Sequence, residues 1–222
     1  MTIVRKRGWL SVGILFDHPT EALLKSIRKS HPIFSTNRDA VWPSIKIINS
    51  TPAGTEDQIK RVLASIIRPS RPFPLYFLRK RFENHKEKLE DQELRPRTPQ
   101  NRRNRQVRLY FESPQLEQVH LQLACKLAPI VKPYYRENSR FDLWLRHNGI
   151  TGKGPSFRMG FLYDSMDMAD RLHQELLHKF SDDKPPIQAR GLRLTWYEQG
   201  EPDKILEEYS FDGNNEGVQA QA

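Results

Sequence analysis

Two segments far apart in the chain repeat one pattern: Pro43-Ser44-Ile45-Lys46-Ile47 and Pro155-Ser156-Phe157-Arg158-Met159. In each, a proline leads an alternation of polar and apolar residues. That is the period of an extended strand, so the serine and the cation share one face. Two hydroxyls and two fixed positive charges are donors suited to phosphate oxygens. They are poorly suited to moving protons at neutral pH. Lys46 would need its pKa lowered by about three units from ~10.4, a differential environment on the order of 4 kcal/mol, and Arg158 stays protonated. The chemistry the four residues offer is anion binding without general acid–base work, so no catalytic residue is assigned. They fit equally the solvated faces of two amphipathic strands.

A second group of donors lies between these segments. Arg95, Arg97, Arg102, Arg103, Arg105 and Arg108 fall within fourteen residues with no acid among them. An arginine-rich stretch of this kind folds onto RNA through phosphate forks and base stacking, or else is simply a solvated loop. Trp42, Tyr76, Tyr134, Tyr135 and Trp144 are the aromatic residues considered for stacking, each also fit for core or surface anchoring. Gly149-Ile150-Thr151-Gly152-Lys153-Gly154 lacks the Gly-Lys-Ser/Thr ending of a phosphate loop. It reads as a connection from which Lys153 reaches the mouth of a groove.

Other chemistries find little support. The histidines show no His-Glu-x-x-His spacing, so neither a metal nor another cofactor is expected. The string His18-Pro19-Thr20-Glu21 lies between an apolar run and a helical pattern and reads as a turn and N-cap. The single cysteine, Cys125, excludes an internal disulfide framework and a multi-cysteine zinc site and points to a reducing, intracellular compartment. Its place in a helical apolar pattern predicts a buried packing residue.

The net charge of +9 is unevenly distributed. Residues 1–78 carry +7, residues 79–108 +6, residues 109–198 +1 and residues 199–222 −5. A surplus of that sign attracts polyanions, making RNA or nucleotide phosphate the natural partner class. The acidic C-terminal segment offers a surface for a protein partner. No apolar run reaches the ~18 residues of a membrane span. Leu10–Phe16 after Arg5-Lys6-Arg7 is interrupted by Ser11 and Gly13 and reads as a first strand, not a leader.

The elements that must carry these residues follow from periodicity. Trp9–Phe16 reads as a strand and Ala22, Leu23 and Ile27 as a helix face. Ser44–Ile48 reads as a strand. Ile59, Val62, Leu63, Ile66 and Ile67 line a second helix opened by a capping box at Thr55 and Gln58. Pro72–Phe77 reads as an edge strand because of its prolines. Beyond the insert come a strand at Val107–Phe111, a helix at Pro114–Leu127 and an alternating strand at Phe141–Leu145. The chain then continues with an extended segment at Pro155–Tyr163, a helix at Met168–Phe180 and a hairpin of Ile187–Tyr197 with Ile205–Phe211. The order strand, helix, strand, helix, strand thus occurs twice. The expected architecture is α+β: two pseudo-symmetric lobes of antiparallel sheet, helices on the outer faces and a central groove. The divisions are an N-terminal lobe over 1–78, a flexible basic insert over 79–105, a C-terminal lobe over 106–212 and a disordered tail over 213–222.

This layout resembles the 2H phosphoesterases, also called the RNA ligase and cyclic phosphodiesterase-like superfamily, over roughly residues 8 to 198. In that family each lobe contributes a strand with a His-x-Thr/Ser-x motif facing a central groove, and the two histidines serve as acid and base on a 2′,3′-cyclic phosphate or related ester. At the matching places this chain has Ser44 and Lys46, and Ser156 and Arg158. Serine cannot replace imidazole in that role. The resemblance therefore implies a degenerate member that binds RNA or a phosphorylated nucleotide. Ser44, Lys46, Ser156 and Arg158 would contact phosphate, with Arg102, Arg103, Arg105, Arg108 and Lys153 on the nucleic-acid backbone. The alternatives are a phosphodiesterase that uses non-standard residues and a scaffold or ribonucleoprotein subunit.

Overall fold

The computed structural model describes residues 8–30, 45–68, 70–83, 106–152, 154–163, 165–181, 184–198 and 204–211. The elements run β1 (Trp9–Phe16), α1 (His18–Ser30), β2 (Lys46–Pro52), α2 (Glu56–Ile67), β3 (Phe73–Phe77), β4 (Gln106–Glu112) and α3 (Pro114–Val131). They continue with α4 (Asn138–His147), β5 (Phe157–Leu162), α5 (Met166–Lys179), β6 (Ile187–Tyr197) and β7 (Lys204–Ser210). Residues 79–83 form a further helical turn.

Short polar side chains start the helices. The Thr20 amide donates to Asp17 Oδ1 at 3.0 Å at the head of α1, and Ser113 and Ser165 cap α3 and α5. The capping box at Thr55 and Gln58 does not form. Residues 53–55 make a 3-10 turn, and within it the Thr55 hydroxyl donates back to the Pro52 carbonyl at 2.6 Å. Phe141–Leu145, expected as a strand, lies inside helix α4. Phe141, Trp144 and Leu145 have the i, i+3, i+4 spacing of one helical face, and only Trp144 is fully buried. Cys125 is exposed and not buried, because the face of α3 that packs is set by Leu116, Val119, Leu123, Ala124 and Leu127.

The strands are antiparallel, in the order β2-β1-β6-β3-β4-β5, with β7 also on β6. β6 holds β1 along one edge, from Tyr197 opposite Trp9 to Ala189 opposite Phe16. Its other edge is shared end to end by β7, at residues 191–196, and β3, at residues 187–189. Gly191 is needed in this hairpin, since a Cβ there would lie 1.9 Å from the Tyr209 carbonyl oxygen.

β3 is not an edge strand. Phe73–Leu75 pair with β6 and Tyr76–Phe77 with β4, so the proline-bearing half needs only one partner. Through this pairing the two βαβαβ halves exchange their third strands. β3 closes the sheet started by β4 and β5, and β6 closes the one started by β1 and β2. One hydrophobic core runs through both, from Leu10, Ile14, Ile59 and Leu63 to Leu109, Leu123, Phe161 and Leu172. The sheet also curls, so that β2 and β5, at opposite ends of the strand order, come back into contact. The architecture is α+β, an antiparallel curled sheet with helices.

Candidate functional site

The curl matters because β2 and β5 carry the two proline-led motifs. Lys46 opens β2, and Ser156 and Arg158 sit at the start of β5. On the β2 side of the seam between these strands stands Asn148, at the C-terminal end of α4. Its side-chain oxygen accepts from the Asn49 amide at 2.6 Å, and its side-chain nitrogen donates to the Asn49 carbonyl at 3.2 Å and the Trp144 carbonyl at 2.9 Å. One amide group thus imitates a strand neighbour for β2. Behind it, His120 of α3 donates from Nε2 to the Asn148 carbonyl at 2.6 Å, with its ring edge-on to Phe157. Burial pushes the His120 pKa down, which keeps the imidazole neutral. Asn148→Ala removes three bonds from a buried seam and should destabilise the protein by about 2 kcal/mol, measured by urea unfolding.

On the β5 side the site is a crowd of guanidinium groups. β4 and β5 pair with Tyr110 opposite Arg158 and Arg108 opposite Gly160, so Arg108, Tyr110 and Arg158 share one sheet face. Arg81, from the helical turn at 79–83, lays its guanidinium over the Tyr110 ring at 4.4 Å and donates from Nη2 to Ser156 Oγ at 3.2 Å. The Tyr110 side chain is hydrogen-bonded to Arg158. Burial first, then the like charges of Arg108 and Arg81, push the pKa of Arg158 down. Three fixed positive charges are held where they disfavour one another.

On the β2 side, exposed Lys46 stands over the Tyr197 ring at 4.9 Å. Ser50, at a left-handed φ of 53°, meets the Tyr197 hydroxyl at 3.0 Å. Tyr135 donates to the Ser50 carbonyl at 3.2 Å, and its hydroxyl pKa is raised to about 12 by burial and by the neighbouring Tyr197. Each motif strand therefore presents a cation supported by a tyrosine.

Of the residues expected at the site, Lys46, Ser156, Arg158 and Arg108 are placed on or beside the meeting strands. Arg108, counted with the arginine-rich stretch, lies on β4, which covers the strand expected over Val107–Phe111. Ser44, Arg102, Arg103, Arg105, Lys153 and Trp42 lie outside the described residues. Tyr76 is exposed, Tyr134 donates to the Gly54 carbonyl, and Trp144 is core. Sequence reasoning missed Arg81 and Tyr110. The period-2 pairing of Arg108 with Tyr110 was a signal for the latter, whereas Arg81 reaches the site only through tertiary structure. Among the described residues no group of three potential metal-ligating side chains occurs, and no helix is long and apolar enough to cross a membrane.

No protein-family model matches the chain, and no curated protein matches it. Among solved structures, the chain is similar to TT0787 of Thermus thermophilus at 12% identity and a TM-score of 0.48, over 93% of this chain and 99% of that one. It is also similar to E. coli LigT, crystallised in complex with NADP+, at 10% identity and a TM-score of 0.42, over 92% and 98% of the two chains. Two βαβαβ halves, each with its motif strand second, form the arrangement that the resemblance implied.

Proposed function

We propose that the protein binds RNA or a phosphorylated nucleotide through a cationic groove between β2 and β5, and does not hydrolyse it. The supporting observation is the arginine cluster: Arg158 is held beside Arg108 and Arg81, with Ser156 and Tyr110 among them. Like charges gathered on one sheet face favour an anion that accepts their hydrogen bonds. Lys46, across the seam, supplies the second contact. Ser44 is the hydroxyl donor on that side in this reading, and Arg102, Arg103, Arg105 and Lys153 track the nucleic-acid backbone. Ser44 and Ser156 stand where the resemblance places the two histidines, and serine has no pKa suited to proton transfer at neutrality.

The double variant Lys46→Glu, Arg158→Glu tests this. Fluorescence anisotropy with a labelled single-stranded RNA should show affinity reduced about a hundredfold, with the slope of log K against log salt shallower by about 1.4 for two lost phosphate contacts. Unchanged affinity and slope would remove the groove from the reading. Turnover of a 2′,3′-cyclic nucleotide, abolished by Ser156→Ala, would replace binding with catalysis.

A further inference from the structure

We infer that the half-site on β4 and β5 is a receptor for a phosphomonoester, the terminal phosphate of an RNA or nucleotide, in preference to internal or cyclic phosphodiesters. This rests on the proposed anion-binding reading and names its ligand class. The first ground is charge. Arg108 and Arg158 stand on one face of the paired β4 and β5, and Arg81 lies against Tyr110 and Ser156 of that same face. A phosphodiester brings one negative charge and two free oxygens, whereas a monoester brings about −1.5 to −2 at neutral pH and three. The more highly charged monoester is the better match for a face carrying three cations, and its third oxygen gives one more acceptor for charge-assisted bonds.

The second ground is fixation. Arg81 is held twice, by the Tyr110 ring against the face of its guanidinium and by Ser156 Oγ at Nη2. Its neighbour Phe82 is fully buried and stacks on His173 at 4.2 Å between ring centroids. An arginine held in this way spends little conformational entropy on gripping a compact group. A mobile arginine would serve as well on a long, irregular backbone.

The third ground is a boundary. Glu112 lies two residues beyond Tyr110 on β4, on the same face, with exposed Tyr76 opposite it in register. A carboxylate there repels a phosphate chain running further along β4, so the polyanion ends at the cluster. The exposed Tyr76 ring gives a base a surface to stack on, which favours a nucleotide over a phosphorylated peptide.

The test titrates the full chain with one labelled ten-nucleotide RNA in four forms, ending in a 3′-phosphate, a 5′-phosphate, a 2′,3′-cyclic phosphate or hydroxyls only, together with a phosphoserine peptide. At least one monoester form should bind about tenfold more tightly than the cyclic and hydroxyl forms, as expected when a charge-assisted bond is gained. Arg81→Gln should bring the forms to within about twofold, while Lys46→Gln should weaken all of them alike and keep the preference. Equal, salt-dependent affinity for all four RNAs would overturn this inference and leave the groove reading standing. Binding of none of them would overturn the groove reading itself. Tighter binding of the phosphoserine peptide would overturn the assignment to nucleotides.

Discussion

Arg193→Ala is expected to destabilise the protein by about 3–5 kcal/mol, as when one member of a buried ionic group is removed. Arg193 lies on the central strand β6 with only 3% of its side chain exposed. It donates from Nη2 to Glu21 of α1 at 2.6 Å and from Nε to Glu208 of β7 at 2.5 Å. It is therefore the common anchor of a helix and a strand that come from opposite ends of the chain. Truncation leaves Glu21, itself only 11% exposed, without that anchor. Lys25, at 3.9 Å and 43% exposed, is too distant and too solvated to replace it. Urea unfolding followed by tryptophan fluorescence measures the loss. A change under about 1 kcal/mol would mean that the group is solvated like a surface ion pair.

Phe82→Ala should have the second-largest effect. The ring is fully buried, stacked on His173 and edge-on to Phe77 at 5.4 Å, so its removal should cost about 3 kcal/mol through lost burial and an unfilled cavity. Its consequence for binding is more specific. Phe82 fixes the turn that carries Arg81, and the turn is otherwise tied down by the Leu78 amide donating to the Tyr110 carbonyl and the Phe82 amide donating to the Leu78 carbonyl. On the proposed reading of the groove as an RNA-binding site, affinity without the ring should fall to the level of Arg81→Ala although Phe82 touches no ligand. Adding Phe82→Ala to Arg81→Ala should then weaken binding no further, a double-mutant cycle that reads the coupling directly. Additive losses would show that the turn holds its place without the aromatic anchor.

The strands and the site were legible in the sequence to different degrees. β6 was read at its observed bounds, because its run ends in Thr195-Trp196-Tyr197, residue types that favour strands, just before a turn sequence. The helix at Asn138–His147 was misread because Phe141-Asp142-Leu143-Trp144-Leu145 satisfies both periods over five residues, and only flanking structure decides between them. Cys125 was misplaced because an apolar residue in an apolar helix says nothing about which stripe faces inward. The strand carrying Pro72 and Pro74 looked like an edge, since neither proline reveals that pairing switches from β6 to β4 partway along. At the proposed site, the proline-led repeats single out Lys46, Ser156 and Arg158, which the fold places on or beside β2 and β5. Arg81 could not be found that way. Its position beside Ser156 spans 75 residues and depends on a buried phenylalanine that resembles any other in the sequence.

The exchange of third strands sets the order in which the molecule can be finished during synthesis. When the first 78 residues have left the ribosome, β1 has β2 on one side and an open edge on the other, and β3 has neither of its partners. Residues 106–112 supply one neighbour for β3, but the strand that closes β1 is not complete until Tyr197 has emerged. Nascent chains would thus expose the backbone donors and acceptors of an unfilled sheet until β6 has emerged, the condition under which strands add to the wrong neighbour. The basic character of the early residues, +7 over the first 78, supplies mutual repulsion between nascent copies during that interval.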